Sequence, residues 1–94
     1  MGKIKELELP EIKTEEINDK IYAVIIWNDD HNTFEFVIEC LMRYCGHEPE
    51  QAEQCTYLIH FRGKSDVKRG DKSKMKKIYD KLKACGLTTT MEEL

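Results

Sequence analysis

The sequence has no long apolar segment. Its longest unbroken apolar run, Ile21–Trp27, is far short of the ~18 residues that indicate a membrane-spanning helix. No apolar signal segment follows Met1 either. We therefore expect a cytoplasmic protein that has no membrane partner.

Close cysteine pairs, internal repeats and low-complexity segments are also missing. Four cysteines fall in predicted helices or at their ends, and none has a partner at metal-ligand spacing: Cys40, Cys45, Cys55 and Cys85. We interpret them as reduced, mostly buried thiols. With only 94 residues, the chain is expected to form one small domain, which excludes a large enzyme.

Charge is unevenly distributed along the chain. The net charge is −3, but residues 1–53 sum to −8 and residues 62–83 sum to +7. Such polarity suggests a charged docking surface, although a solvated helix face is the common explanation for a charge run.

The centre of the chain is a strand that runs directly into a polar turn and a helix. Residues 21–27 are rich in the β-branched and aromatic types of a central strand. Asn and two Asp follow at 28–30, and Asn32 is predicted to cap a helix that starts near Thr33. Apolar residues then repeat at the spacing of one helical face until Gly46, which can end the helix. A polar turn between two rigid elements is a favourable place for a binding site.

A second helix is predicted to start at Pro49 and to end at Gly63, because proline is tolerated at the first helical position and glycine favours the last. One face of this helix holds Ala52, Cys55, Thr56, Ile59 and His60.

Three shorter elements complete the prediction. Residues 64–69 form a polar strand at the edge of a sheet, and Asp71 caps a third helix that ends near residues 85–86. Residues 87–91 form the last strand, and residues 92–94 are expected to fray.

The element order is therefore β-α-α-β-α-β in a core domain of residues 20–94. It predicts a two-layer α+β domain with three helices on one face of a small sheet. Residues 1–19 are rich in Glu and Lys and interrupted by Pro10, which is typical of a flexible N-terminal extension.

Two segments, NDDHNTFEFVIECLMRYCG and IHFRGK, resemble ClpS proteins, the adaptors that bind the N-terminal residue of degradation substrates and pass them to a Clp unfoldase. The resemblance spans roughly Tyr22 to Met91. It implies an antiparallel three-stranded sheet, a flexible N-terminal extension that is needed for delivery, and Phe, Leu, Tyr or Trp as first substrate residues. The implied partners are N-degron substrates and the N-terminal domain of a ClpA- or ClpC-type AAA+ unfoldase. We expect a monomer with no catalytic residue, cofactor or metal.

The resemblance also implies which residues bind the substrate. An N-terminal ammonium has three donors, which a carboxamide, a carboxylate and an unprotonated imidazole can accept. By resemblance, Asn28, Asp29 and His60 contact this ammonium, and Asp30 supports the turn or engages the next peptide bond. The implied pocket for the first side chain is formed by Asn32, Thr33, Phe34, Val37, Thr56 and Leu87.

The chain departs from the family pattern at three places. Phe34 and Thr56 stand where methionines are common, Asn32-Thr33 replaces a frequent Thr-Pro, and the segment 64–71 is shortened. We therefore expect an altered ranking of first residues.

Other readings of these residues remain open. Asn and Asp are ordinary turn formers, and a histidine on a helix face is often a core residue. His60 and Asp29 could form an acid–base pair, or Cys55 could be a nucleophile that His60 activates. A metal ion could also bind to His31, Asp29, Asp30 and His60. Neither proposal has an orienting group or a known ligand pattern.

Nucleic-acid binding is the main alternative function. Ten basic residues lie between Arg62 and Lys83 and could contact phosphates, but Tyr79 is the only aromatic residue among them.

Overall fold

The six predicted elements form in the predicted order. A computed structural model describes residues 20–94, so the N-terminal extension predicted for residues 1–19 lies outside the described residues. The elements are β1 (Tyr22–Trp27), α1 (Phe34–Cys45), α2 (Pro49–Arg62), β2 (Lys64–Gly70), α3 (Lys72–Ala84) and β3 (Thr89–Glu93).

The sheet is antiparallel with the strand order β2-β1-β3. The apolar strand β1 is central and the polar strand β2 is an edge strand, which confirms both predictions. Pairing with β2 shifts register between Val24 and Ile25, the signature of a β-bulge or similar irregularity.

The core lies between one face of the sheet and the three helices. Alternate residues of β1, Val24 and Ile26, pack with buried residues of all three helices, including Leu41, Ala52 and Leu82. The α+β prediction is therefore confirmed. The four cysteines are free, two of them buried and two half-buried. Among residues 20–94, no helix is long and apolar enough to cross a membrane.

The start of α1 differs from the prediction by one residue. Thr33, not Asn32, is the N-cap, and its Oγ1 accepts a hydrogen bond from Phe36 N at 3.1 Å. The Asn32 side chain instead donates to the Asp29 carboxylate and to Gly86 O. Two adjacent residues were able to cap this helix, and a tertiary contact decided between them.

The last strand was predicted two residues too early, and its fraying end was wrong. β3 pairs with β1 from Thr89 to Glu93, and Leu94 N donates to Ile21 O at 2.8 Å. Because β1 extends back to Tyr22, its antiparallel partner must continue to Glu93. Leu87, predicted to open the strand, is 3% exposed and packs in the core instead.

Candidate functional site

A cleft of about 200 Å³ opens where the loop between β1 and α1 meets α2. A backbone hydrogen bond joins the loop to the end of α2: Asn28 N donates to Gly63 O at 2.8 Å. Gly63 ends α2 with φ 94°, a conformation that favours glycine. The polar loop therefore begins beside the last turn of α2, where His60 lies. The cleft is lined by Asn28, Asp29, Asp30, Asn32, Phe34, Val37, Thr56, Ile59 and His60.

Asp29 holds the loop in a tight turn. Its Oδ1 accepts hydrogen bonds from His31 N at 2.9 Å and from Asn32 N at 3.0 Å. This is the way Asp commonly stabilises a turn, with its side chain bonding backbone amides two and three residues later. The turn is therefore fixed by the residues that form it.

The same carboxylate ties the turn to the segment before β3. Asp29 Oδ2 accepts from Thr88 Oγ1 at 2.9 Å and from Asn32 Nδ2 at 3.0 Å, and Asn32 Nδ2 also donates to Gly86 O at 3.1 Å. The site thus depends on three separate parts of the chain: the loop, α2 and the residues after α3.

These contacts also set the ionisation of Asp29. Burial would raise the pKa of its carboxyl, but the hydrogen bonds from the His31 and Asn32 amides, the Thr88 hydroxyl and the Asn32 side chain outweigh burial and hold the pKa below its ordinary value of 3.8. The carboxylate is therefore charged at neutral pH.

This lowered pKa predicts how Asp29 affects stability. Replacing Asp29 by Ala should lower the free energy of unfolding at neutral pH by about 1–2 kcal/mol, because the partly exposed hydrogen bonds from His31 N, Asn32 and Thr88 to its carboxylate are lost. A depressed folded pKa stabilises the folded protein above the unfolded pKa, and that contribution is lost as the pH falls through the folded value. The difference between wild type and Asp29→Ala should thus be constant above the ordinary pKa and shrink below it.

Urea denaturation of both proteins at a series of pH values measures this difference. Thr88→Val removes one of the donors to Asp29 and should give a smaller effect in the same direction. A difference that does not change with pH would show that the Asp29 charge has no part in holding the turn.

Three other polar side chains of the cleft make no hydrogen bond or ion pair within residues 20–94. Among residues 20–94, nothing donates to or accepts from the side chains of Asn28, Asp30 or His60, although the hydrogen bonds around Asp29 are extensive. An amide, a carboxylate and an imidazole are therefore available to a ligand in a cleft with a fixed negative charge.

The opposite side of the cleft is apolar. Val37 is 7% exposed and Ile59 is 4% exposed, and both are core residues. The Thr56 hydroxyl donates to Ala52 O at 2.7 Å, so its hydrogen is bound to the helix backbone. The Phe34 ring stands edge-on to Tyr57, with centroids 4.9 Å apart, and 6.4 Å from His60.

Most of the residues predicted to bind the substrate line this cleft, but two of them do not. Thr33 caps α1, and Leu87 lines a small adjoining cavity of about 20 Å³ that shares Val37 and Ile59 with the cleft. Ile59 was overlooked as a lining residue. Its spacing of three residues from Thr56, on the same helical face, was the available signal.

Two of the alternative interpretations, a Cys55–His60 nucleophile pair and a metal site, have no support among residues 20–94. Cys55 does not line the cleft, and burial raises the pKa of its thiol, away from the thiolate that a nucleophile requires. Within the described part of the chain, no group of three or more His, Cys, Asp or Glu side chains could hold a metal ion.

Three helices packed on a three-stranded antiparallel sheet, with one acidic cleft between a loop and a helix end, define a small α+β binding domain. The family model for ClpS, the ATP-dependent Clp protease adaptor protein, matches residues 18–90. This chain belongs to the ClpS family of Clp protease adaptors, so the resemblance noted in the sequence is confirmed.

Curated relatives match most of the chain. The ClpS adapter of Rhodococcus opacus is 27% identical over 81 residues, covering 86% of this chain and 72% of the relative. The ClpS adapter of a Nostoc species is 37% identical over 68 residues, covering 71% and 70%. The Escherichia coli ClpS adapter is 32% identical over 71 residues, covering 69% and 67%.

A solved structure has the same fold. Agrobacterium tumefaciens ClpS2, bound to L-phenylalaninamide, superposes with a TM-score of 0.69 at 25% sequence identity. The match covers 82% of this chain and 100% of the other.

Proposed function

We propose that this chain is a non-enzymatic cytoplasmic adaptor that recognises the free first residue of N-degron proteins and delivers them to a ClpA- or ClpC-type unfoldase. One observation carries the proposal. The side chains of Asn28 and His60, which make no hydrogen bond within residues 20–94, line the same cleft as an apolar wall, beside the charged Asp29. A free N-terminus with a bulky side chain has the matching features, an ammonium next to an apolar group.

The ammonium is bound by groups that make no competing hydrogen bond in the described part of the chain. Asn28 Oδ1 and an unprotonated nitrogen of His60 accept two of its three donors. Each charge-assisted hydrogen bond contributes roughly 1.5–3 kcal/mol before desolvation is subtracted.

Asp29 has a different role in this proposal from a simple contact. Both of its oxygens already accept hydrogen bonds, and a direct contact with the ammonium would compete with Thr88 or Asn32. It therefore acts through its negative charge and by fixing the turn. Asp30 accepts no hydrogen bond within residues 20–94, so its carboxylate is open to the first peptide N–H of the substrate.

The first side chain occupies the apolar part of the cleft, between Phe34, Val37 and Ile59. Burying one large apolar side chain contributes on the order of 1.5–3 kcal/mol. L-phenylalaninamide, the ligand of A. tumefaciens ClpS2, has a free α-amino group and a benzyl side chain, which supports this assignment.

Phe34 is expected to decide which first residues are accepted. Its ring lines the cleft, edge-on to Tyr57 and with its centroid 6.4 Å from that of the His60 ring. We predict that peptides starting with Phe, Leu, Tyr or Trp bind, that aromatic residues gain up to ~1 kcal/mol from the ring, and that Val and Ile bind poorly. Branching next to the α-carbon collides with this ring, so Phe34→Ala should raise the affinity for Ile-first peptides relative to Leu-first ones.

Fluorescence anisotropy with peptides that differ only in the first residue tests this prediction. Phe36→Ala is the matched control, since Phe36 is on the same helix, 37% exposed, and does not line the cleft. If neither Phe34→Ala nor Phe36→Ala changes the ratio of affinities for Ile-first and Leu-first peptides, Phe34 is a packing residue and does not select the first residue.

Delivery requires a second surface, and the chain has a basic one. All ten basic residues between Arg62 and Lys83 are exposed, and most of them lie on β2 and α3. We assign this surface to contact with an acidic patch on the unfoldase. The same exposure favours nucleic acid as the alternative partner, and a gel shift with random DNA and RNA at increasing salt distinguishes the two.

Residues 1–19, which lie outside the described residues, are proposed to serve delivery and not binding. Deleting them should leave peptide affinity unchanged and abolish degradation by a Clp protease. The deletion retains Ile21, whose carbonyl oxygen pairs with Leu94, and the Lys20–Glu93 ion pair of 3.8 Å.

A degradation assay beside a binding assay checks this prediction, with a Gly/Ser segment of the same length as the control for tail length. Loss of both activities in the deletion would place residues 1–19 in the fold.

A further inference from the structure

Beside the cleft, α2 exposes two aromatic rings that the first-residue site does not use. Tyr57 is 45% exposed and Phe61 is 72% exposed. Their rings stack with centroids 5.7 Å apart and an interplanar angle of 9°. We call the rings of Phe34, Tyr57 and Phe61 the aromatic ledge.

The ledge is one surface and not a set of scattered rings. Phe34 contacts Tyr57, Tyr57 stacks on Phe61, and both α2 residues lie one helical turn apart on the same side of the helix. Single exposed apolar residues are ordinary on protein surfaces, but contiguous exposed apolar surface marks a binding site.

The ledge begins at the cleft. Phe34 lines both, and the Phe61 ring stands edge-on to the His60 ring with centroids 4.7 Å apart. Phe61 is therefore next to the imidazole to which the proposed function assigns the substrate ammonium.

The geometry of an extended peptide decides what reaches the ledge. Consecutive side chains point to opposite sides of the chain, and consecutive Cα atoms are about 3.8 Å apart. When the first side chain fills the cleft, the second side chain therefore does not enter it, and its Cα lies about 3.8 Å further on, next to the rim of the cleft. The loop side of the rim, with Asp29 and Asp30, is acidic, whereas the α2 side has the ledge.

We propose that the aromatic ledge is a binding subsite for the second residue of the substrate, and that it favours aromatic and large aliphatic side chains there. This inference rests on the proposed first-residue function. The adaptor then recognises two residues: the cleft binds the first, and the aromatic ledge sets how affinity varies with the second.

The test compares peptides that share a free N-terminal Phe and differ only in whether the second residue is Leu, Trp or Ser. The full chain should bind the Leu and Trp peptides about three- to tenfold more tightly than the Ser peptide, as expected for partial burial of one apolar side chain. In the double variant Tyr57→Ala/Phe61→Ala, the ratio of affinities for the Leu or Trp peptide and the Ser peptide should fall to about one. The affinity for the Ser peptide itself should not change. Met42→Ala, which removes a 39% exposed apolar residue from α1 that lines no cleft, should keep the preference.

The outcomes separate this inference from the function on which it rests. If Phe-first peptides bind but the wild type shows no second-residue preference, or the double variant keeps it, the subsite is wrong and the first-residue site stands. If no Phe-first peptide binds, both fail. Concentration-dependent dimerisation that the double variant abolishes, with no second-residue preference, would instead make the ledge an interface between copies of this chain.

Discussion

A peptide with a free N-terminal phenylalanine is expected to bind about a hundredfold or more tightly than the same peptide with an acetylated N-terminus. Acetylation replaces the ammonium by an amide with one donor and no charge, so Asn28 and His60 can no longer both be satisfied. One acceptor left unpaired in the occupied cleft costs roughly 1–3 kcal/mol, and the hydrogen bond that remains is no longer charge-assisted, so the combined loss is about the ~2.7 kcal/mol that a hundredfold change in affinity represents. The lost attraction to Asp29 adds to this effect.

Calorimetry or fluorescence anisotropy with the two peptides measures the difference. A peptide acetylated only on an internal lysine is the matched control, because it loses the same charge away from the cleft and should bind like the unmodified peptide. Affinities within about threefold for the free and N-acetylated forms would contradict the assignment of the ammonium site.

Discrimination of this size requires acceptors that are held in place before the ligand arrives. Asp29 meets this requirement by fixing the turn through its hydrogen bonds, so Asn28 has a defined position at the cleft. A site whose polar groups are held in advance rejects a ligand that lacks the matching donor, because those groups then remain unpaired. In the proposed function, the charge of Asp29 and the hydrogen bonds that fix the turn serve the same selection.

The parts of this fold that follow from local signals were predictable from the sequence. Pro49 at the first turn of α2 and Gly63 at its end act within one helical turn, and the structure confirms both. The apolar run of β1 likewise predicted its central place in the sheet.

The parts that depend on distant residues were not predictable from local signals. The first and last residues of β3 are set by its pairing with β1, more than sixty residues earlier in the chain. Asn32 could cap the helix as well as Thr33, but its side chain donates hydrogen bonds to the Asp29 carboxylate and to Gly86 O. The saturation of the Asp29 carboxylate involves Thr88, which no spacing rule connects to the loop.

The aromatic ledge was overlooked for a different reason. Helical periodicity identifies the face that packs against the core, and on α2 that face contains Ala52, Thr56 and Ile59. Tyr57 and Phe61 lie off this face, where aromatic residues have no obvious purpose in the sequence. The ring contacts of Tyr57 with Phe34 and of Phe61 with His60 show that the exposed rings continue the cleft, and no pattern in the sequence predicts the first of them.

Replacing His60 by Ala is expected to weaken the binding of a Phe-first peptide by about ten- to a hundredfold, because a charged group then loses one of its acceptors in a desolvated site. His60 is exposed, and its ring stands edge-on to the rings of Phe34 and Phe61. The melting temperature should therefore change by only a few degrees. His60→Gln retains an amide oxygen as an acceptor and should recover part of the affinity.

His31→Ala is the matched control for His60→Ala. His31 is also an exposed histidine near the cleft, but its side chain does not line it, and its only contact with Asp29 is through the backbone amide, which alanine retains. Peptide affinity should be unchanged in this variant. If His31→Ala and His60→Ala weaken binding equally, the effect is not specific to the His60 position, and the imidazole of His60 is not an acceptor for the ammonium.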